Sequence, residues 1–124
     1  MNLNQVTISV TDIDQSASFY SKLGLQLIVK ADHYCRFHVR GNDVTFSIHK
    51  TDKASPGSTI IYFESDRLDE WVIELKHKGI SFSKEPVDQS WLWREACLED
   101  PDGHIICLYY AGSNRLNPPW RIKD

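Results

Sequence analysis

The sequence has little cysteine, and its three cysteines follow no pattern of a structural or metal site. Cys35, Cys97 and Cys107 are odd in number, and no two of them form a Cys-x-x-Cys pair. A disulfide framework of the kind that staples small secreted domains is therefore not expected, and the thiols should be reduced.

The chain also lacks the features of a secreted, membrane-spanning or nucleic-acid-binding protein. Its start, MNLNQVTISV, has no basic region, no long apolar run and no small-residue cleavage site, so we expect a cytoplasmic location. No stretch is apolar for long enough to cross a bilayer. The net charge of −3 comes from interspersed signs and leaves no basic stripe for phosphates. We therefore expect neither a membrane nor a nucleic acid as a partner.

Three common catalytic and nucleotide-binding motifs are missing as well. The chain contains no GxSxG elbow, no phosphate-binding P-loop and no GxGxxG. Nucleophilic hydrolysis by a serine elbow and nucleotide binding are therefore disfavoured. With 124 residues, the chain can form one ordinary domain or two small half-domains that share a core.

What the sequence does contain is one pattern written twice. TISVTDIDQSASFYSKLGLQLIV and IIYFESDRLDEWVIELKHKGISF both read as strand, aspartate, helix, glycine, strand. Asp12 and Asp66 are predicted N-caps, because their carboxylates can accept hydrogen bonds from free amides of the first helical turn. Gly24 and Gly79 are predicted to end the helices in the left-handed conformation.

A hairpin follows each of these units and completes the predicted architecture. CRFHVR-GND-VTFSIH follows the first, and LWREACLE-DPDG-HIICLYY follows the second, with a good type I turn signal. We predict an α+β fold of two βαβββ modules, at about residues 3–50 and 59–112, with a linker at 51–58 and an extended C-terminal arm at 113–124. The modules should form a curved, cup-like mixed sheet with the helices on its outer face.

Alternation along the strands predicts which side chains line the concave face. The helix must cover the apolar row of each strand, so the other row should face the cup. In the seventh strand the assignment is ambiguous, because Arg94 falls in the row that suits the helix side. The predicted ligand-binding residues are Gln5, Thr7, Ser47, His49, Tyr62, Glu64, Trp91, Trp93, Glu95, Cys107 and Tyr109. Such a mixture of aromatic walls and a few polar groups is typical of a ligand cavity.

The pattern resembles the vicinal oxygen chelate superfamily, which includes glyoxalase I, extradiol dioxygenases, fosfomycin-resistance enzymes and bleomycin-resistance proteins. The segments VTISVTDIDQSASFYSKLGL and LEDPDGHIICLYY carry the resemblance, which covers residues 3 to about 112. The resemblance implies the fold; it does not imply one reaction, since the superfamily includes enzymes and metal-free binders.

In metal-dependent members of that superfamily, ligands come from the first and last strands of each module. The matching positions here are Gln5, Ser47, Ile60 and Cys107, and Ile60 cannot bind a metal. The resemblance therefore implies a protein without the usual metal site and without a cofactor. A shifted set of Gln5, His49, Glu64 and Cys107 remains the alternative if a divalent metal is bound.

Two functions follow as hypotheses. The first is a metal-independent binder of a small aromatic or cationic molecule in a cup between the modules, in which Trp91, Trp93 and Glu95 provide stacking and charge. The second is a metal-dependent lyase, isomerase or dioxygenase that uses the shifted set. A structural or regulatory dimer is a third possibility. For any of them we predict a homodimer, with the C-terminal arm lying across a cup or a partner subunit.

Overall fold

The computed structural model describes residues 1–123 and confirms the α+β architecture of two βαβββ modules. The first module comprises β1 (Gln5–Val10), α1 (Ile13–Leu23), β2 (Gln26–Lys30), β3 (Tyr34–His38) and β4 (Thr45–Lys50). The second comprises β5 (Ile60–Glu64), α2 (Leu68–His77), β6 (Lys84–Asp88), β7 (Arg94–Glu99) and β8 (Ile105–Tyr110), followed by a 3₁₀ turn at Gly112–Asn114. Each module forms one four-stranded mixed sheet that is curved and not closed.

The chain divides into two compact units. Unit 1 contains residues 1–58 together with residues 100–104, and unit 2 contains residues 59–99 and the described residues from Ile105 onward. The predicted linker at 51–58 contains neither helix nor strand.

The sheet of unit 1 has the strand order β1-β4-β3-β2, in which β1 and β4 are parallel and the other pairs antiparallel. Helix α1 packs against one face of this sheet. Tyr20 is completely buried there, with its ring centroid 4.8 Å from that of Phe46 and 6.1 Å from that of Phe37. Tyr20, Phe37 and Phe46 therefore belong to the core of unit 1.

The turn at residues 100–104 is held to α1 and to Thr11, which follows β1, by hydrogen bonds within unit 1. The buried Asp100 accepts from the Tyr20 hydroxyl at 2.7 Å and from the amide of His104 at 2.9 Å. Asp102 accepts from the Thr11 hydroxyl at 2.6 Å. Burial raises the pKa of Tyr20 far above its usual value, and the charge of Asp100 raises it further. The DPDG segment is thus a turn, as predicted, with Gly103 N donating to Asp100 O at 2.9 Å.

The sheet of unit 2 repeats the arrangement with the order β5-β8-β7-β6, and α2 packs on one face. Leu68, Val72 and Leu75 form the buried stripe of the helix. The strands β7 and β8 provide Leu98 and Leu108, which are fully buried. Leu68, Val72 and Leu75 are spaced four and three residues apart, which places these three side chains on one face of the helix.

Strands β6 and β7 begin later than the sequence predicts. The predicted strand ISF at 80–82 is not a strand, and β6 starts at Lys84. Its register against β7 shifts between Lys84 and Val87, where Pro86 has no amide hydrogen to donate to the ladder. Leu92, predicted on the helix side of β7, lies instead in the preceding turn with a φ of 67°, and its amide donates to Gln89 O at 3.0 Å.

Arg94 resolves the ambiguity of the seventh strand. It lies at the start of β7, where its guanidinium forms ion pairs with Asp69 of α2 at 3.0 Å and Asp88 of β6 at 3.1 Å. A charged residue is therefore compatible with the helix-side row, because it lies at the end of the strand and is paired. Ala96 and Leu98 follow in the same row and are buried.

The two predicted N-caps differ. Asp12 caps α1, since its carboxylate accepts from the amide of Gln15 at 3.0 Å. The prediction for Asp66 is wrong, because α2 begins after Arg67 and no side chain caps it. The hydroxyl of Ser65 accepts from the Arg67 amide at 3.0 Å and turns the chain before the helix starts.

This difference gives a matched pair of variants. Asp12→Ala should lower the free energy of unfolding by about 1 kcal/mol, because it leaves a helix amide without its acceptor. Asp66→Ala removes the same group at the equivalent position of the repeat and should change it by less than about 0.5 kcal/mol. Urea denaturation followed by circular dichroism measures both, and equal losses would contradict the assignment of the cap.

Candidate functional site

The face of the unit 1 sheet opposite α1 carries a network of polar side chains. The amide nitrogen of Gln5 donates to Ser47 Oγ at 2.8 Å and to Thr7 Oγ1 at 3.0 Å, and its oxygen accepts from Thr45. The hydroxyl of Tyr34 lies 2.6 Å from Ser47 Oγ. The polar atoms of Gln5 and Ser47 are therefore occupied by neighbours on the same face.

Two further residues of this face were not among the predicted ligand-binding residues. Arg36 Nε donates to the Tyr34 hydroxyl at 3.0 Å. Burial acts to raise the pKa of Tyr34, but the hydrogen bonds with Ser47 and Arg36 and the charge of Arg36 together lower it. Alternation along β3 puts both side chains on this face, and the register of β3 against β4, which pairs Arg36 with Ser47, joins them to the network. His49 lies at the end of the face, with Nε2 3.1 Å from Ser9 Oγ.

The open face of the unit 2 sheet has a different character, because three aromatic rings meet there. The rings of Trp93 and Tyr109 are stacked, with centroids 4.7 Å apart and an interplanar angle of 26°. Tyr62 meets both edge-on, at 5.5 Å from Tyr109 and 6.0 Å from Trp93. We call Tyr62, Trp93 and Tyr109 the aromatic cluster. Burial raises the pKa of Tyr109, and the charge of Glu64 raises it further.

Two carboxylates flank the aromatic cluster and differ in their partners. Glu64 accepts from the backbone amides of Ala111 at 2.9 Å and Gly112 at 3.0 Å, and Arg115 Nε lies 3.7 Å from it. Glu95 accepts from the indole nitrogen of Trp91 at 2.8 Å. Glu64 is thus paired with a cation and anchored to backbone, whereas no salt bridge to Glu95 occurs in the described part of the chain.

Cys107 lies beneath the aromatic cluster in the middle of β8. It is paired in register with Tyr62 on β5 and with Cys97 on β7, and only 1% of its surface is exposed. Burial raises the pKa of its thiol well above the ordinary value, and the charges of Glu95 and Cys97 raise it further. At neutral pH this residue is therefore a neutral thiol in the wall of the face.

The residues at the positions of the superfamily's metal ligands do not fit a divalent cation. Gln5 and Ser47 are hydrogen-bonded to each other, Ile60 offers no donor atom, and Cys107 is a neutral buried thiol. Hard cations prefer several carboxylate or carbonyl oxygens. Within residues 1–123, no three His, Cys, Asp or Glu side chains are grouped so that they could hold a metal ion.

The four residues of the shifted ligand set come from both units of the chain, and at least two of them already have other hydrogen-bond partners. Gln5 and His49 belong to unit 1, whereas Glu64 and Cys107 belong to unit 2. Glu64 already holds two backbone amides, and His49 is hydrogen-bonded to Ser9. The prediction that both modules line one shared cup stays a prediction.

The predicted site residues thus fall into two groups. The open face of unit 1 brings together Gln5, Thr7, Ser47 and, at its end, His49. The open face of unit 2 brings together Tyr62, Glu64, Trp93, Glu95, Cys107 and Tyr109. Trp91 lies in the turn before β7, and its link to this face is the hydrogen bond to Glu95.

The C-terminal arm contains no helix or strand between Arg115 and Lys123, and Asp124 lies outside the described residues. It is not extended throughout, since the amide of Arg121 donates to Pro118 O at 3.0 Å and forms a turn. Leu116, Trp120 and Ile122 are exposed. That the arm covers a cup or a partner subunit of a homodimer stays a prediction. No helix in residues 1–123 is long and apolar enough to cross a membrane.

Comparisons with known proteins agree with the fold. The chain is similar to a glyoxalase/bleomycin resistance protein/dioxygenase from Nocardioides (18% identity, 99% of this chain and 90% of that chain, TM-score 0.79). It is also similar to a bleomycin resistance determinant encoded on the transposon Tn5 (23% identity, 89% and 98%, TM-score 0.75). A bleomycin-binding protein solved in complex with bleomycin shares 22% identity over 90% and 99% of the two chains, with a TM-score of 0.74.

The family is identified by a match of the sequence to a family profile. No curated protein sequence gives a significant match. Residues 2–108, however, match the sequence profile of the Glyoxalase/Bleomycin resistance protein/Dioxygenase superfamily, which is most of the chain. The two βαβββ modules are those that the sequence repeat predicted. The chain therefore belongs to the glyoxalase/bleomycin resistance protein/dioxygenase superfamily.

Proposed function

We propose that the protein binds a small, flat, cationic aromatic molecule at the open face of unit 2, without a metal ion. The observation that carries the proposal is the aromatic cluster with the carboxylate of Glu95 beside it, to which no salt bridge is formed in the described part of the chain. Structures of this fold include one described as a bleomycin-binding protein in complex with bleomycin, which supports small-molecule binding as the class of function.

The aromatic cluster provides a surface on which a flat ligand can stack. Trp93 and Tyr109 fix each other by stacking, and Trp93 packs on the buried group of Cys107, Tyr109 and Ala111. Tyr62 keeps 46% of its surface exposed although it contacts both rings. Exposed aromatic surface backed by a rigid core costs little entropy when a ligand covers it, because the rings do not have to be ordered on binding.

The carboxylates determine the sign of the preferred ligand. Arg115 compensates the charge of Glu64, so this carboxylate adds little net attraction. Glu95 accepts from the neutral indole of Trp91, and no salt bridge to it occurs within residues 1–123. An organic cation that stacks on the rings would gain both a cation–π contact and attraction to Glu95.

The donor chemistry supports binding that does not depend on a metal. The positions at which the superfamily usually coordinates a metal contain a hydrogen-bonded amide and hydroxyl, an isoleucine and a neutral thiol. Protein purified without chelators should contain no stoichiometric divalent ion. If such an ion is found and its removal abolishes ligand binding, the proposal is wrong.

The proposal is tested with three flat tricyclic probes of similar size: N-methylacridinium, acridine at a pH where it is neutral, and anthracene-9-carboxylate. Isothermal titration calorimetry should give the tightest binding for the cation and the weakest for the anion. Tyr62→Ala should weaken binding of the cation about 3- to 10-fold, because it removes one ring of the cluster. Glu95→Gln should remove most of the preference for the cation over the neutral probe.

Tyr110→Ala is the matched control. Tyr110 has nearly the same exposure as Tyr62, 44% against 46%, but it follows Tyr109 in β8 and lies on the other face of the strand. Its replacement should leave the affinity unchanged when the melting temperature shows that the variant is folded. Equal affinity for all three probes, or equal effects of the Tyr62 and Tyr110 variants, would refute binding at the aromatic cluster.

A further inference from the structure

Two of the three cysteines face each other across neighbouring strands. Cys97 of β7 and Cys107 of β8 are directly paired in an antiparallel register that runs without a shift from Arg94 to Glu99. Side chains at paired positions lie on the same face of a sheet. Both thiols therefore belong to the open face of unit 2, where Cys97 packs against the group that contains Cys107.

The hydrogen-bond pattern of the hairpin fixes the kind of pair that they form. Asp100 N donates to His104 O at 3.0 Å, so this pair is hydrogen-bonded. Hydrogen-bonded and non-hydrogen-bonded pairs alternate along an antiparallel ladder, and Cys97 and Cys107 are three pairs further along. They consequently form a non-hydrogen-bonded pair, for which the Cα separation is about 4.5 Å. Disulfides join Cα atoms that are about 4.4–6.8 Å apart.

We propose that Cys97 and Cys107 are a modification site that closes reversibly to an intramolecular disulfide by exchange with a small disulfide such as oxidised glutathione. The two thiols differ in access, which sets the order of the steps. Cys97 is partly exposed, whereas Cys107 is buried. The reagent therefore reaches Cys97 first, and Cys107 serves as the resolving thiol.

The exchange balances as a two-electron oxidation of the protein. The thiolate of Cys97, after losing its proton to solvent, attacks one sulfur of oxidised glutathione, forms a mixed disulfide and releases one glutathione thiolate. Cys107 then loses its proton and attacks the sulfur of Cys97, which forms the protein disulfide and releases the second glutathione. The protein loses two hydrogens, and one oxidised glutathione becomes two reduced molecules.

Cys35 serves as an internal control in the same chain. It is fully buried in unit 1, and its partners in register are Ile48 and Lys30, so no second thiol is paired with it. The same reagent should leave it reduced. If Cys97 and Cys107 are oxidised while Cys35 stays reduced, the cause is the pairing of the two thiols and not a general sensitivity of the protein to oxidation.

The test is incubation of the folded protein with excess oxidised glutathione, followed by denaturation, alkylation with N-ethylmaleimide, trypsin digestion and mass spectrometry. Cys97 and Cys107 share the peptide 95–115, since neither lysine nor arginine occurs between Arg94 and Arg115. We expect this peptide to lose about 2 Da and carry neither maleimide nor glutathione. Dithiothreitol should restore both alkylation sites. The peptide 31–36, with Cys35, should be alkylated throughout.

Two serine variants test the order of the steps. Cys107→Ser should retain glutathione on Cys97, because the resolving thiol is missing. Cys97→Ser should react at least tenfold more slowly, because Cys107 is buried. The proposal is overturned if the wild-type peptide carries two maleimides after treatment or keeps glutathione on Cys97. No ligand is needed, so failure here leaves the proposed binding function untouched.

Discussion

Replacing Asp100 with alanine should lower the free energy of unfolding by about 3–5 kcal/mol, because it leaves several buried donors without an acceptor. The carboxylate, 4% exposed, accepts from the hydroxyl of Tyr20 and from the amides of Asp102 and His104. None of these donors gains another acceptor from the methyl group of alanine. Urea denaturation followed by circular dichroism gives the difference.

Two further variants separate the contributions. Asp102→Ala, in the same turn, removes an acceptor for Thr11 that is only half-buried, and should cost about 1 kcal/mol. Asp100→Asn keeps an oxygen acceptor but removes the charge, so it should fall between the two alanine variants. A loss below about 1 kcal/mol for Asp100→Ala would show that the turn contributes little to the stability of unit 1.

The second large effect is expected for Phe37→Ala, which should cost about 3–5 kcal/mol. Phe37 is completely buried in β3, and its ring lies 6.1 Å from that of Tyr20 in α1. Alanine would leave a cavity between the sheet and the helix that the surrounding side chains can fill only in part. Thermal and urea denaturation measure the loss.

Leu27→Ala is the control for this variant. Leu27 is paired in register with Phe37 on the neighbouring edge strand β2, so both side chains lie on the same face. It keeps 39% of its surface exposed, and its truncation should cost about 1 kcal/mol or less. If both variants lower the free energy of unfolding by the same amount, packing against α1 is not the main contribution of this face to stability.

The fold was predictable from the sequence because the repeat, the caps and the alternation agreed for most elements. They agreed less where a local signal competed with the repeat. Asp66 stands where Asp12 stands in the first copy, yet the chain turns on Ser65 and the helix starts after Arg67. Strand β6 likewise begins at Lys84, later than the repeat predicts, and its register against β7 shifts around Pro86, which cannot donate to the ladder.

The sequence predicted which residues of the candidate site share one face of a sheet, but it did not predict which of them contact each other. Alternation placed Tyr62 and Tyr109 on one face, but their contacts with Trp93 depend on rotamers that a sequence does not encode locally. The cysteine pair could have been found from the sequence, since Cys97 and Cys107 are equally far from Asp102 at the middle of the turn. A symmetric count from a tight turn predicts facing residues in any regular hairpin.

Unit 1 is built from two separate stretches of sequence, and this affects any attempt to express the unit alone. Its last five residues, 100–104, are encoded between β7 and β8. A gene fragment that ends at Ser58 would therefore encode the whole sheet of unit 1 but lack the carboxylate that receives the Tyr20 hydroxyl. The first copy of the repeat is therefore not the whole of unit 1, because the unit also needs five residues that the second copy provides.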